Sequence, residues 1–101
     1  MKYDKLVRDK IPEIIEQKGG TYKIRLAGGE EYWSKLKVKL TEEVAEFLES
    51  ENHEEIADIL EVLQAAADHK GIEWHAVLAT QKKKADERGG FKKRIILEES
   101  Q

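Results

Sequence analysis

Four acids in this sequence have the type and the spacing to hold a metal ion. They are Glu43 and Glu46, then Glu55 and Asp58: two i,i+3 pairs within KLTEEVAEFLESENHEEIADILEVL, residues 39–63. On a helix that spacing puts both carboxylates of a pair on one side, about one turn apart. Two like charges about 4 Å apart cost about 4 kcal/mol at an effective dielectric of 20. Four converging carboxylates would therefore need a cation, or some would stay protonated. An all-oxygen donor set favours Mg²⁺, or Mn²⁺, over zinc, and Mg²⁺ on carboxylates keeps positions open for phosphate.

The elements that must position these acids are two long helices. From about residue 30 to 49, Trp33, Leu36, Leu40, Val44, Phe47 and Leu48 recur every three or four positions, the period of an amphipathic helix. SENH interrupts it. Asn52 can cap the next helix, with Glu55 at the third position closing a capping box. That helix uses Ile56, Ile59, Leu60, Leu63 and Ala67 and stops near Gly71, with His69 and Lys70 suiting the negative end of its dipole.

With Leu40 taken as zero, Glu43 lies about 60° and Glu46 about 120° round the first helix, at the edge of the apolar arc. Glu42 and Glu49 point to solvent, and Lys35 and Lys39 share the stripe of Glu43 and Glu46. On the second helix Val62 falls between Glu55 and Asp58 one turn on, while Glu54 and Glu61 occupy a wholly polar side. Each piece also has a plain structural reading: Glu55 as a capping residue, and Lys39 with Glu43 as an exposed i,i+4 pair of small value. The doubled spacing on adjoining helices is what raises a metal site to equal standing.

Elsewhere, KLVRDKIPEIIEQKGG carries a short helix with Pro12 in its first turn and Gly19-Gly20 as its stop. TYKIRLA alternates loosely and predicts an extended segment or edge strand over residues 21–27. A third helix runs from about 73 to 88 and packs with Trp74, Val77 and Leu78, after which RGGFKKRIIL leaves as a loop and a short strand over 92–97. The expected fold is all-α, a single domain over residues 1–101, built on an antiparallel helix hairpin.

Composition agrees. Apolar residues make up 40% of the 101 and charged residues 39%, the pattern of a soluble chain with one modest core. Eighteen basic against 21 acidic residues give a net charge of -3, which offers no electrostatic case for nucleic-acid binding. No cysteine is present to bind zinc or form a disulfide, and no apolar run approaches a membrane span. The cytoplasm is the expected location.

EEVAE followed by EIAD resembles the EExxE…ExxD signature of the MazG-like, all-α nucleoside triphosphate pyrophosphohydrolases. YDKLVRDKIPEII at the start and ERGGFKKRI at the end resemble a small branch described as house-cleaning enzymes for noncanonical nucleotides, so the likeness spans nearly the whole chain. It implies Mg²⁺-dependent attack of water on the α-phosphorus of an NTP, releasing pyrophosphate and a nucleoside monophosphate. Glu43, Glu46, Glu55 and Asp58 would hold the metal. Lys39 matches a lysine that often precedes the EExxE and would contact phosphate.

Arg8 and Lys10 could reach the triphosphate, though RDK before a helix is also ordinary polarity. Lys84 and Arg88, one turn apart before Gly89-Gly90 and Phe91, could form a phosphate clamp with a base-stacking ring; a basic helix end with Phe91 in the core is the alternative. The family's frequent Asn on this helix is missing from the lysine run. None of His53, His69 and His75 has a partner spacing that argues for catalysis. The resemblance also implies a bundle completed by a second subunit, as a homodimer or a dimer of dimers. A phosphoribosyl-ATP pyrophosphohydrolase and a non-catalytic nucleotide-binding helical dimer are the rival readings.

Overall fold

Two helices of the computed structural model lie antiparallel along most of their length, and everything else is arranged around that pair. Residues 4–101 are described. In chain order the helices are α1 (Ile11–Gln17), α2 (Gly29–Ser50), α3 (His53–His69) and α4 (Trp74–Arg88). Among the described residues there is no strand, so the chain is all-α.

Local chemistry sets the helix ends. At the end of α3, Gly71 takes a left-handed φ of 71°, which lets its N–H donate to the Asp68 carbonyl and the Ile72 N–H to the Ala67 carbonyl. These are the two closing bonds of a Schellman motif. α1 stops in the same way, with Gly19 at φ 81° and the Gly20 N–H on the Ile15 carbonyl. Between α2 and α3 only Glu51 and Asn52 intervene. Glu51 makes the bend in the left-handed region, φ 56° and ψ 31°, an uncommon conformation for a residue with a Cβ. Asn52 then caps α3, its side chain accepting from the Glu54 N–H at 2.9 Å.

The two stretches expected to be extended form no strand. In residues 21–28 the alternating side chains find no neighbouring backbone edge, and Ile24 and Leu26 are exposed. The segment is tethered by side chains instead. The Arg25 guanidinium grips Glu31 through both carboxylate oxygens and reaches Asp4 at 3.3 Å. Its hydrogen bond, ahead of its charge, holds the Glu31 carboxyl below the usual range. Over 92–97 there is no ladder either: Ile95, Ile96 and Leu97 stay exposed, since one short run cannot satisfy a strand's hydrogen bonds alone.

The buried seam is narrow. Along α2 it follows Leu36, Leu40, Glu43 and Phe47; along α3 it follows Glu55, Asp58, Ile59, Val62 and Ala66. Of the described apolar residues, Leu36, Val62 and Ala67 are buried. A second apolar stripe on α3, Ile56, Leu60 and Leu63, remains roughly half exposed. α4 touches α3 sparsely, and from Leu78 onward every residue is exposed. The molecule measures 61 × 31 × 23 Å with a radius of gyration of 18.2 Å, whereas a compact chain of this length has about 13 Å. At the far end of the hairpin, His69 closes the seam by stacking on Trp33 and meeting Tyr32 edge-on, with ring centroids 5.8 and 5.2 Å apart.

Candidate metal centre

Glu43 sits where a leucine would be expected. It occupies the seam stripe of α2 one turn beyond Leu40, and it is 7% exposed, the one buried charged residue among those described. One carboxylate oxygen lies 3.5 Å from the Lys39 ammonium; the other, Oε2, is buried with no hydrogen-bond partner. A buried acceptor left unmatched costs about 1–3 kcal/mol, more when charged, so such an atom asks for an explanation. Burial first, and then the charges of Glu46 and Asp58, push the Glu43 carboxyl above the usual range, with Lys39 pulling the other way.

The explanation lies across the seam. Glu43, Glu55 and Asp58 each present an oxygen within 4.8 Å of the other two. Glu55 and Asp58 come from the first two turns of α3, one turn apart, and are half-buried. The capping box expected of Glu55 does not close: the Asn52 N–H donates to Ser50 Oγ at 3.3 Å instead. Glu55 is thereby left to the cluster. Glu46 lies one turn beyond Glu43, is exposed, and stands outside this close group, though its charge reaches Glu43.

The cations expected to meet phosphate are divided. Lys39 is half-buried beside Glu43. Arg8 lies against the cluster itself: its Nη2 donates to Asp58 Oδ1 at 2.8 Å and its Nη1 is 3.9 Å from Glu61. Glu61 is exposed on the polar side of α3, as expected, and it also sits one turn past Asp58 and shares its arginine; the i,i+3 relation is the signal for that. Lys10 is the exposed residue preceding α1. Lys84 and Arg88 are exposed on α4, and no hydrogen bond or ion pair ties either to the acids among the described residues. Phe91 is 97% exposed, so the alternative that packed its ring into the core is overturned. No histidine joins the group of Glu43, Glu55 and Asp58: His53 opens α3 exposed, His69 closes the seam at Trp33, and His75 faces Glu73 at 3.0 Å.

A divalent ion fits this arrangement on its chemistry. It would give Glu43 Oε2 the partner it lacks and offset three carboxylates drawn together beside a hydrophobic seam. The donors are all oxygens, from side chains on two helices, the set that suits Mg²⁺ or Mn²⁺ rather than a thiolate-seeking metal.

No family model matches the chain, and no solved structure matches it. A protein of Mycolicibacterium smegmatis, described as uncharacterised, is 56% identical over 41 residues, which is 41% of this chain and 42% of that relative. The chain thus matches less than half of the relative's length. No helix among the described residues is long and apolar enough to cross a membrane.

Proposed function

We propose that this protein is a Mg²⁺-dependent nucleoside triphosphate pyrophosphohydrolase, cleaving NTPs, noncanonical ones among them, to a nucleoside monophosphate and pyrophosphate. The observation that carries the reading is the buried, unpartnered Oε2 of Glu43 in a carboxylate group shared with Glu55 and Asp58. The MazG-like order of motifs along the sequence supports it.

In this reading Glu43, Glu55 and Asp58 hold the metal, and Glu46, one turn along, completes the set by a change of rotamer. When bound, Mg²⁺ supplies a Lewis acid for the phosphate oxygens and for the attacking water. Lys39 favours the anionic form of Glu43 against burial and the neighbouring acids, and offers its ammonium to phosphate at the rim. Lys84 and Arg88, with no tie to the clustered acids among the described residues, meet the triphosphate when a second subunit packs on. Such a subunit would cover the Ile56, Leu60 and Leu63 stripe, and the protein acts as a homodimer or a dimer of dimers.

The test is product analysis. Purified protein with Mg²⁺ and a panel of standard, deoxy and damaged NTPs, with phosphoribosyl-ATP included, should release pyrophosphate and not orthophosphate. Nucleotide binding without turnover across that panel would replace the enzyme with a binding dimer. Turnover confined to phosphoribosyl-ATP would make it a phosphoribosyl-ATP pyrophosphohydrolase.

A further inference from the structure

Arg8 stands on a candidate metal ligand rather than beside one. Its guanidinium spends a donor on Asp58 Oδ1 at 2.8 Å, and its second nitrogen faces Glu61 at 3.9 Å. The oxygen it takes belongs to the carboxylate that the cluster shares with Glu43 and Glu55.

The segment that carries Arg8 is anchored at both ends, while the side chain itself lies more than half exposed. Upstream, the Lys35 ammonium donates to the Asp4 carbonyl at 2.9 Å and Arg25 reaches the Asp4 carboxylate at 3.3 Å. Downstream, the Arg8 carbonyl accepts the Ile11 N–H as α1 begins. Between these ties the Arg8 side chain is 56% exposed. With Lys39 on Glu43, two monovalent cations stand against three carboxylates.

We propose that Arg8 is a built-in counter-ion of the metal centre: it competes with the divalent cation for Asp58, through the Oδ1 lone pair it occupies and through its charge. This rests on the metal-centre reading above and adds a device to it. An oxygen lone pair engaged by a guanidinium is not offered to a metal, and a positive charge a few ångströms away repels a doubly charged ion. Once displaced, the guanidinium stays tethered beside the cluster, where an anion brought in by the metal is its next partner. The chain therefore guards the site against cations that arrive without phosphate.

Mn²⁺ binding, read from the free-ion electron paramagnetic resonance signal without nucleotide, tests this in wild type, Arg8→Gln, Arg8→Lys and Lys82→Gln. Lys82 pairs with Asp86 on α4, so its loss controls for a general change in net charge. Arg8→Gln should bind Mn²⁺ about fivefold tighter than wild type, an exposed charge pair being worth about that much. Arg8→Lys and Lys82→Gln should stay within about twofold. Equal or weaker binding by Arg8→Gln, or equal tightening by Lys82→Gln, would overturn the competition while leaving the metal centre standing. Wild type and Arg8→Gln both failing to bind Mn²⁺ would instead remove the centre, and the competition with it. Circular dichroism of each variant confirms the helical fold; the exposed Arg8 side chain supports no buried packing.

Discussion

The carboxylates of Glu43 on α2 and Asp58 on α3 oppose one another across the hairpin seam, with ligand-capable oxygens no more than 4.8 Å apart. Neither pairs with the other, and Glu43 is all but closed off from water at 7% exposed. Without a cation this is a destabilised arrangement, retained between two helices that would pack more easily on leucine. Glu43→Gln should therefore stabilise the metal-free protein by about 1 kcal/mol, raising the melting temperature by about 4 °C or more. Thermal unfolding in chelator checks it, and a lower melting temperature would show that Lys39 alone satisfies Glu43.

The same residue fixes a pH dependence. Because burial and like charges raise its carboxyl above the ordinary 4.5, the folded chain keeps this proton to higher pH than the unfolded chain does. Its contribution to stability is full below about pH 4.5 and is lost as pH rises through the folded value. Urea midpoints of wild type should fall relative to those of Glu43→Gln between pH 4.5 and 7.5 in chelator. A constant difference across that range would contradict the assignment.

Metal should reverse this penalty. At a hundredfold excess over its dissociation constant, Mg²⁺ or Mn²⁺ should stabilise wild type by about 2.7 kcal/mol. Glu55→Gln and Asp58→Asn should lose most of that shift and abolish pyrophosphate release while keeping their helical content. Glu46→Gln separates two possibilities for the fourth acid: lost turnover marks it as a ligand, and retained turnover leaves it a neighbour that only tunes Glu43.

Association is predicted from the second stripe of α3. Leu60→Asp and Leu63→Asp place charge on residues 45% and 39% exposed, at no buried site of the single chain. Light scattering should show wild type as a dimer or larger, and both variants shifted toward monomer. A monomeric wild type at micromolar concentration would leave this stripe without the partner proposed for it.

Much of the scaffold was legible because its signals are local. Gly19, Asn52 and Gly71 marked the helix ends through backbone chemistry that acts within a few residues. The acids were legible too, since an i,i+3 spacing on a helix survives any later packing. Which stripe would face inward was harder to read. α3 carries two apolar stripes, and the richer one, Ile56–Leu60–Leu63, invites placement in the core. The hairpin instead buries Val62 beside the acids, so Glu43 lies within the seam and not at its margin. RDK before a helix points Arg8 at phosphate, and its bond to Asp58 spans fifty positions of chain, beyond the reach of any periodicity. Residues 21–27 misled because alternation describes a strand's face and says nothing of a partner edge.

The two-residue bend at Glu51 and Asn52 has a consequence for how this centre can change. It works as a ruler: the distance from Glu43 to the bend and from the bend to Asp58 decides that their oxygens share one level of the hairpin. One residue inserted within the first turn of α3, between Asn52 and Glu55, would rotate the acids by about 100° relative to the cap and shift them about 1.5 Å along the axis. Both helices would persist while the constellation dispersed. Variation in this protein's chemistry is thus confined to side-chain exchange, because loop length here is a coordinate of the site itself.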